Sequence, residues 1–379
     1  MVYILALKRR LTFHSACVAS RSKRSFCKLA IGKIFSHHFK MTEYYRPLVC
    51  RSYPRPATAL ICAGGNSWFQ FVERITRKGD TELMDANSLP TEWKRKLTCP
   101  RPNFCGMEFH RANIMGILNV TPDSFSDGGA FLDANFAVEQ AVQMAEDGAD
   151  LIDIGGESTR PGAVEISIQE EVARVIPVIG ALAQKVRVVI SIDTRKAAVA
   201  DAAFQSGARL VNDVSGFTFD PDLLTYCGDN MRPVCVMHSQ GLPETMQNKP
   251  QYHNVVLDVF DFLQAQIAKL VAAGVPERCI LADIGIGFGK TLSHNLALLN
   301  RISLFHGLGV PLLLGASRKG FIGQITGVED PQQRLAGSLS VALAARAQGV
   351  QVFRVHNVKQ TREAFDLDKA VEKGEVDGV

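Results

Sequence analysis

No apolar run in this 379-residue chain is long enough to span a bilayer, so no membrane-spanning helix is expected. Its nine cysteines include no C-x-x-C pair and no metal-finger spacing. Six of them (Cys17, Cys27, Cys50, Cys62, Cys99, Cys105) precede residue 106, and the other three, Cys227, Cys235 and Cys279, fall in strand or strand-edge positions. That usage excludes a disulfide scaffold and points to a reduced, intracellular protein with small buried thiols. Acid is missing altogether from residues 1–42, which hold nine Lys and Arg. The remainder carries 33 basic against 38 acidic residues, so the net charge of +4 conceals a mildly acidic body. Such a body gives no support for a nucleic-acid partner. What is present, 46% hydrophobic and 21% charged residues, suffices for one barrel-sized domain and an extension.

The extension is residues 1–106. Its first 42 residues are basic, acid-free and Ser-containing, as organellar transit peptides are. They also read as non-functional sequence upstream of a later start, with Met41, Met84 and Met107 available. Residues 43–106 show no sustained periodicity of either kind. The expectation is an unstructured or targeting extension, cytoplasmic location unless residues 1–42 are a transit peptide, and a soluble, active protein starting at Met84 or Met107.

From Arg111 onward strands and helices alternate. Strands are expected at Asn113–Leu118, Asp150–Ile154, Val188–Asp193, Leu210–Asp213, Val234–His238, Ile280–Ile284, Pro311–Gly315 and Gln351–His356. Amphipathic helices are expected at Ala137–Glu146, Glu170–Ala183 and Val255–Ala272, and Gly148, Gly207 and Gly274 stop helices. The connection Gly216–Arg232 is less clearly helical. Eight such units over residues 107–379 predict an α/β fold of the TIM (β/α)8 type, with a doubly wound open sheet as the alternative. Polar motifs ending nearly all eight strands favour the closed barrel.

The chemistry is concentrated in those motifs. Met115–Gly129, MGILNVTPDSFSDGG, is a short apolar run followed by a long polar loop with one aromatic, Phe125. Thr159, Arg160 and Pro161 lie in GGESTRPGA after the second strand. Asp193 ends VVISIDT, Asn212 and Asp213 end LVNDV, and His238 ends VCVMH. Asp283 opens DIGIGFGK, which carries Phe288 and Lys290. Gly315, Ser317, Arg318 and Lys319 lie in GASRKGFIG, and Arg354 and His356 in VFRVHNV.

The donors and cations Arg160, Arg318, Lys319, Arg354 and His356 suit a polyanion such as a diphosphate. The acceptors Asp193, Asn212 and Asp283 would repel phosphate and suit a flat heterocycle rich in N–H donors. Each has a plainer explanation: Asp193 as a helix cap, Lys319 as a solvated charge, His238 as a satisfied core histidine.

Together these loops resemble the dihydropteroate synthase family, on the blocks GILNVTPDSFSDGG, GGESTRPGA, ISIDT, NDVSG, VMHSQGLPETMQ, IGFGKTLSHN, GASRKGFIG and RVHNV. The resemblance covers Met115 to about Thr361. It implies a pterin-binding barrel and condensation of 6-hydroxymethyl-7,8-dihydropterin diphosphate with p-aminobenzoate. It implies pterin contacts from Asp193, Asn212, Asp283 and Lys319, diphosphate contacts from Asn119, Arg354 and His356, and Mg²⁺ at Asn119. It implies that Thr159, Arg160, Phe125, Pro161, Phe288 and Ser317 shape the aminobenzoate site, with Gly315 beside the substrates. It further implies that the protein is a sulfonamide target and a homodimer built on late helices such as Gln332–Gln348. Two departures are Asp283-Ile284-Gly285 where the family has Asp-Pro-Gly, and His356-Asn357-Val358 where it has His-Asp-Val. A methyl-transferring barrel that holds a methylated folate is the first alternative. It has no need of the SRKG, RVH or TPDSF loops. A non-catalytic paralogue is the second.

Overall fold

The computed structural model describes residues 41–121, 130–158, 163–241, 246 and 249–374, with residues 130–133 as backbone alone. Residues 42–106 are folded, which corrects the expectation that the whole span before the barrel lacks structure. Strands β1 (Glu43–Pro47), β4 (Phe71–Thr76) and β5 (Thr81–Asp85) form an antiparallel sheet in the order β1–β4–β5. Strands β2 (Leu60–Ile61) and β3 (Trp68–Phe69) form a second, two-stranded sheet. A helix, Thr91–Thr98, buries Trp93 and Leu97 one turn apart on a single face. Pro100 follows closely and cannot continue a helix.

This module and the barrel form one compact unit, Thr42–Val379. Tyr44 and Trp93 meet Phe260 at ring-centroid distances of 5.5 and 5.6 Å, and Phe260 meets Phe305 at 6.0 Å. Arg77 binds Asp258 and Asp261 on the helix Val255–Ala273. Arg51 binds Glu372 and Asp368 at the other end of the chain. The aromatic partners lie some two hundred residues away, which is why no local period betrays the module. Its own pattern is also irregular. In β4 the buried residues are Val72 and Ile75, three apart, where a half-buried strand would alternate.

The eight later strands are β6 (Asn113–Asn119), β7 (Leu151–Gly155), β8 (Val189–Asp193), β9 (Leu210–Asp213), β10 (Val234–Met237), β11 (Ile280–Asp283), β12 (Leu312–Leu314) and β13 (Val352–Val355). They pair in parallel and in chain order, and β13 closes onto β6 through Val352 against Asn113 and Val355 against Gly116. Closure excludes the open sheet. The connection after β9 holds a helix, Pro221–Asp229, capped by Asp220 and entered through a proline.

The barrel interior is built in layers, because side chains two apart on a strand face the same way. The lowest layer is one apolar residue from each strand: Met115, Leu151, Val189, Leu210, Cys235, Leu281, Leu313 and Val352. Phe104 and Met107 join that cluster, so the end of the N-terminal module plugs the barrel's amino mouth. Two residues further up stand Ile117, Asp153, Ser191, Asn212, Met237, Asp283, Gly315 and Arg354. Half of this upper layer is ionisable or amide-bearing, where a structural barrel would repeat aliphatics. The polarity changes at the carboxyl end, which positions the site.

Candidate active site

Arg354 rises from β13 into this upper layer and spans the barrel. Its Nε donates to Asp153 Oδ2 at 2.6 Å and its Nη2 to Asp193 Oδ2 at 2.8 Å. Asn212 Nδ2 donates to the same Asp153 oxygen at 2.9 Å. Asp283, at the end of β11, accepts the Gly285 amide at 2.8 Å. Four strands and one long cation thus converge within a buried cluster.

Burial pushes the Asp193 carboxyl up to about 7; Arg354 opposes that shift and Asp153 adds to it. Burial also raises Asp283, against the Gly285 hydrogen bond and the charge of Lys319. Burial works against the Arg354 charge, but Asp153 and Asp193 outweigh it and hold the guanidinium protonated.

Lys319 stands over the Phe288 ring, with Nζ 4.1 Å from the centroid. Burial and then the charge of Arg354 bring its ammonium down to about 8. It is therefore no solvated surface charge. Lys290, beneath the same loop, donates from Nζ to His238 Nδ1 at 2.9 Å, Phe288 O at 3.0 Å and His238 O at 3.3 Å. Burial lowers Lys290 to about 7, and burial with the Lys290 charge holds His238 well below its ordinary value. His238 is thus a core histidine that ties the loop after β11 to β10. Gly285, at φ +66°, is required there: a Cβ would stand 1.8 Å from His238 O.

At the rim, Ser317 Oγ lies 3.0 Å from His356 Nδ1 and accepts the His356 backbone N–H at 3.3 Å. Arg318 is committed elsewhere. Its Nε and Nη2 donate to Asn357 Oδ1 at 3.2 and 2.9 Å. The asparagine at position 357 therefore serves Arg318 as a neutral acceptor.

The family profile described as pterin binding enzyme matches residues 115–356. The dihydropteroate synthase of Escherichia coli strain K12 is 47% identical over 264 residues, covering 70% of this chain and 93% of that protein. A Yersinia pestis dihydropteroate synthase structure with a sulfonamide drug complex has a TM-score of 0.67 at 47% identity, covering 70% of this chain and 96% of its own. A Xanthomonas albilineans dihydropteroate synthase structure with 4-aminobenzoic acid has a TM-score of 0.68 at 43% identity, covering 72% and 98%. The chain belongs to the dihydropteroate synthase family.

The structure brings Asp193, Asn212, Asp283, Phe288, Gly315, Ser317, Lys319, Arg354 and His356 to the carboxyl ends of strands β8, β9 and β11–β13. Asn119 is the last residue of β6, paired with Gly155. Phe125, Thr159, Arg160 and Pro161 lie outside the described residues. The separation into an acceptor pocket and a cationic rim is less clean than the motifs suggest, because Arg354 sits among the acceptors. Asp153 has no place in the motifs, and Lys290 appears there without a partner. The signal for Asp153 was a carboxylate inside an otherwise apolar strand, LIDIG, which only an internal partner makes tolerable.

Proposed function

We propose that the chain condenses 6-hydroxymethyl-7,8-dihydropterin diphosphate with p-aminobenzoate, releasing diphosphate and 7,8-dihydropteroate. The observation that carries this reading is the buried array Asp153–Arg354–Asp193, with Asn212 and Asp283 beside it. Asp193, Asn212 and Asp283 offer acceptors suited to the N–H groups of a pterin. Lys319 and Phe288 offer a cation and a flat face next to them. His356 and Ser317 sit at the rim, where the diphosphate and the aminobenzoate are expected. An arylamine is a weak nucleophile, so departure of the diphosphate dominates the barrier. Arg354 is the residue that can neutralise the leaving group, and Asp193 is the carboxylate that can face the cation developing at the pterin methylene.

Among the described residues no group of three or more His, Cys, Asp and Glu could hold a metal ion. Mg²⁺ keeps several waters and needs few protein ligands, so an ion carried in on substrate phosphates is compatible with a single amide ligand. Asn119 is the residue that would hold it. When bound it would supply charge neutralisation on the diphosphate. An apolar groove of about 720 Å³, lined by Leu296, Ile325, Val341 and Ala344 among others, supports a homodimer on the late helices. Seven cysteines among the described residues are unpaired, which supports a reducing compartment such as the cytoplasm.

A coupled diphosphate-release assay on the purified chain tests the function. Release that depends on both pterin diphosphate and p-aminobenzoate is expected. Pterin binding without release would instead support a non-catalytic paralogue.

A further inference from the structure

Asp153 is completely buried in the middle of β7, between Leu151 in the apolar layer and Gly155 at the strand end. Its Oδ2 receives two donors, Arg354 Nε at 2.6 Å and Asn212 Nδ2 at 2.9 Å, and among the described residues its Oδ1 has none. Asp153 Oδ2 already accepts from Arg354 Nε, so the Asn212 group that faces it must be a donor and the amide has no choice of orientation. Its nitrogen must point down at Asp153, and its Oδ1 is the end left to address a ligand. The same oxygen holds the Nε edge of Arg354, while Asp193 holds the Nη2 edge. One carboxylate therefore governs both an amide and a guanidinium plane on two other strands, β9 and β13.

We propose that Asp153 is a positioning residue for pterin recognition: it obliges Asn212 to present an acceptor and fixes the plane of Arg354. It acts through those two side chains and not through a reacting atom. The proposal rests on the reading above, in which Asn212 addresses the pterin.

The test is a double-variant cycle. Asn212→Asp sets two carboxylates against each other, and the pterin diphosphate KM is expected to rise about tenfold or more, with the p-aminobenzoate KM little changed. Asp153→Ala removes the oxygen that both donors share, frees the Asn212 amide to flip, and is expected to raise the pterin KM about tenfold with the p-aminobenzoate KM little changed. Because Asp153 acts on the pterin through Asn212, the double variant Asp153→Ala/Asn212→Ala is expected to have a pterin KM within about threefold of Asn212→Ala alone, where two independent contacts would multiply. An unchanged pterin KM in both Asn212→Asp and Asn212→Ala would remove the reading of Asn212. A double variant of near-normal melting temperature whose KM rise is the product of the two single rises overturns the proposal for Asp153. So does a normal pterin KM in Asp153→Ala.

Discussion

The barrel repeats one device eight times, whereas the module of residues 42–106 uses each of its devices once. In the barrel, every strand contributes an apolar residue to the lowest layer, and most present polar chemistry at the carboxyl end. In the module, a tyrosine and a tryptophan share one ring, Phe260, and three arginines (Arg46, Arg51 and Arg77) each find separate partners on the barrel's outside. Repetition produces periodicity, and periodicity can be read along a chain. A contact made once, across some two hundred residues, leaves no local trace. The two regions also differ in purpose. The module covers aromatic surface and plugs the amino mouth, and the functional residues lie at the opposite mouth.

The sharpest way to break that comparison is to remove the module. A chain beginning at Met107 loses the cover over Phe260 and Phe305 and also Phe104 from the barrel plug. It is expected to aggregate, and a chain beginning at Met41 to stay soluble and active; size-exclusion chromatography with the activity assay reads both. A soluble, active product starting at Met107 would show that the module is dispensable, as residues 43–106 had suggested by their lack of pattern.

A single residue tests the same division more gently. Trp93 stacks on Phe260, with ring planes 20° apart, and its ring fills the space a Cβ on Gly307 would need. Trp93→Ala should cost about 3–5 kcal/mol of unfolding free energy while leaving kcat nearly unchanged below the melting transition. A fall in kcat without a fall in stability would place the module in the mechanism.

The converse variant lies in the barrel. Asp193→Asn should fold normally but lose about 2–4 kcal/mol of barrier lowering, roughly thirtyfold to a thousandfold in kcat. Near-normal turnover would reduce Asp193 to a packing partner of Arg354.

The smallest effect is a pH profile. Asp193 is ionised above about 7, and Lys319 is protonated below about 8. The rate constant kcat/KM should therefore rise with pH through the first value and fall beyond the second. Lys319→Arg should remove the alkaline fall while keeping the acid limb, because a guanidinium does not titrate there. Substitutions in the module, such as Trp93→Ala, should move neither limb.

Much of the barrel was legible from the sequence. The eight strands lie within a residue or two of their expected positions, because each is a short apolar run broken off by a chemically loaded loop. Asp193, Asn212, Asp283, Lys319 and Arg354 were legible as strand-end chemistry for the same reason. Asp153 was not, because inside a strand it reads as an interruption until its partners on β9 and β13 are known. Arg354 was legible as a cation but not as the bridge between two carboxylates. That pairing depends on β13 closing onto β6, which brings it across from β7 and β8.

By itself the sequence determined the alternation of elements, the polarity of the loops and the list of groups available for chemistry, all of which are local or periodic properties. Only the tertiary structure decided which of those groups share a hydrogen-bond partner, that Asn212 turns its nitrogen to Asp153, and that residues 42–106 are part of the folded body. Each of these depends on distances between residues far apart in the chain, set by barrel closure and by packing against helices formed much later in it.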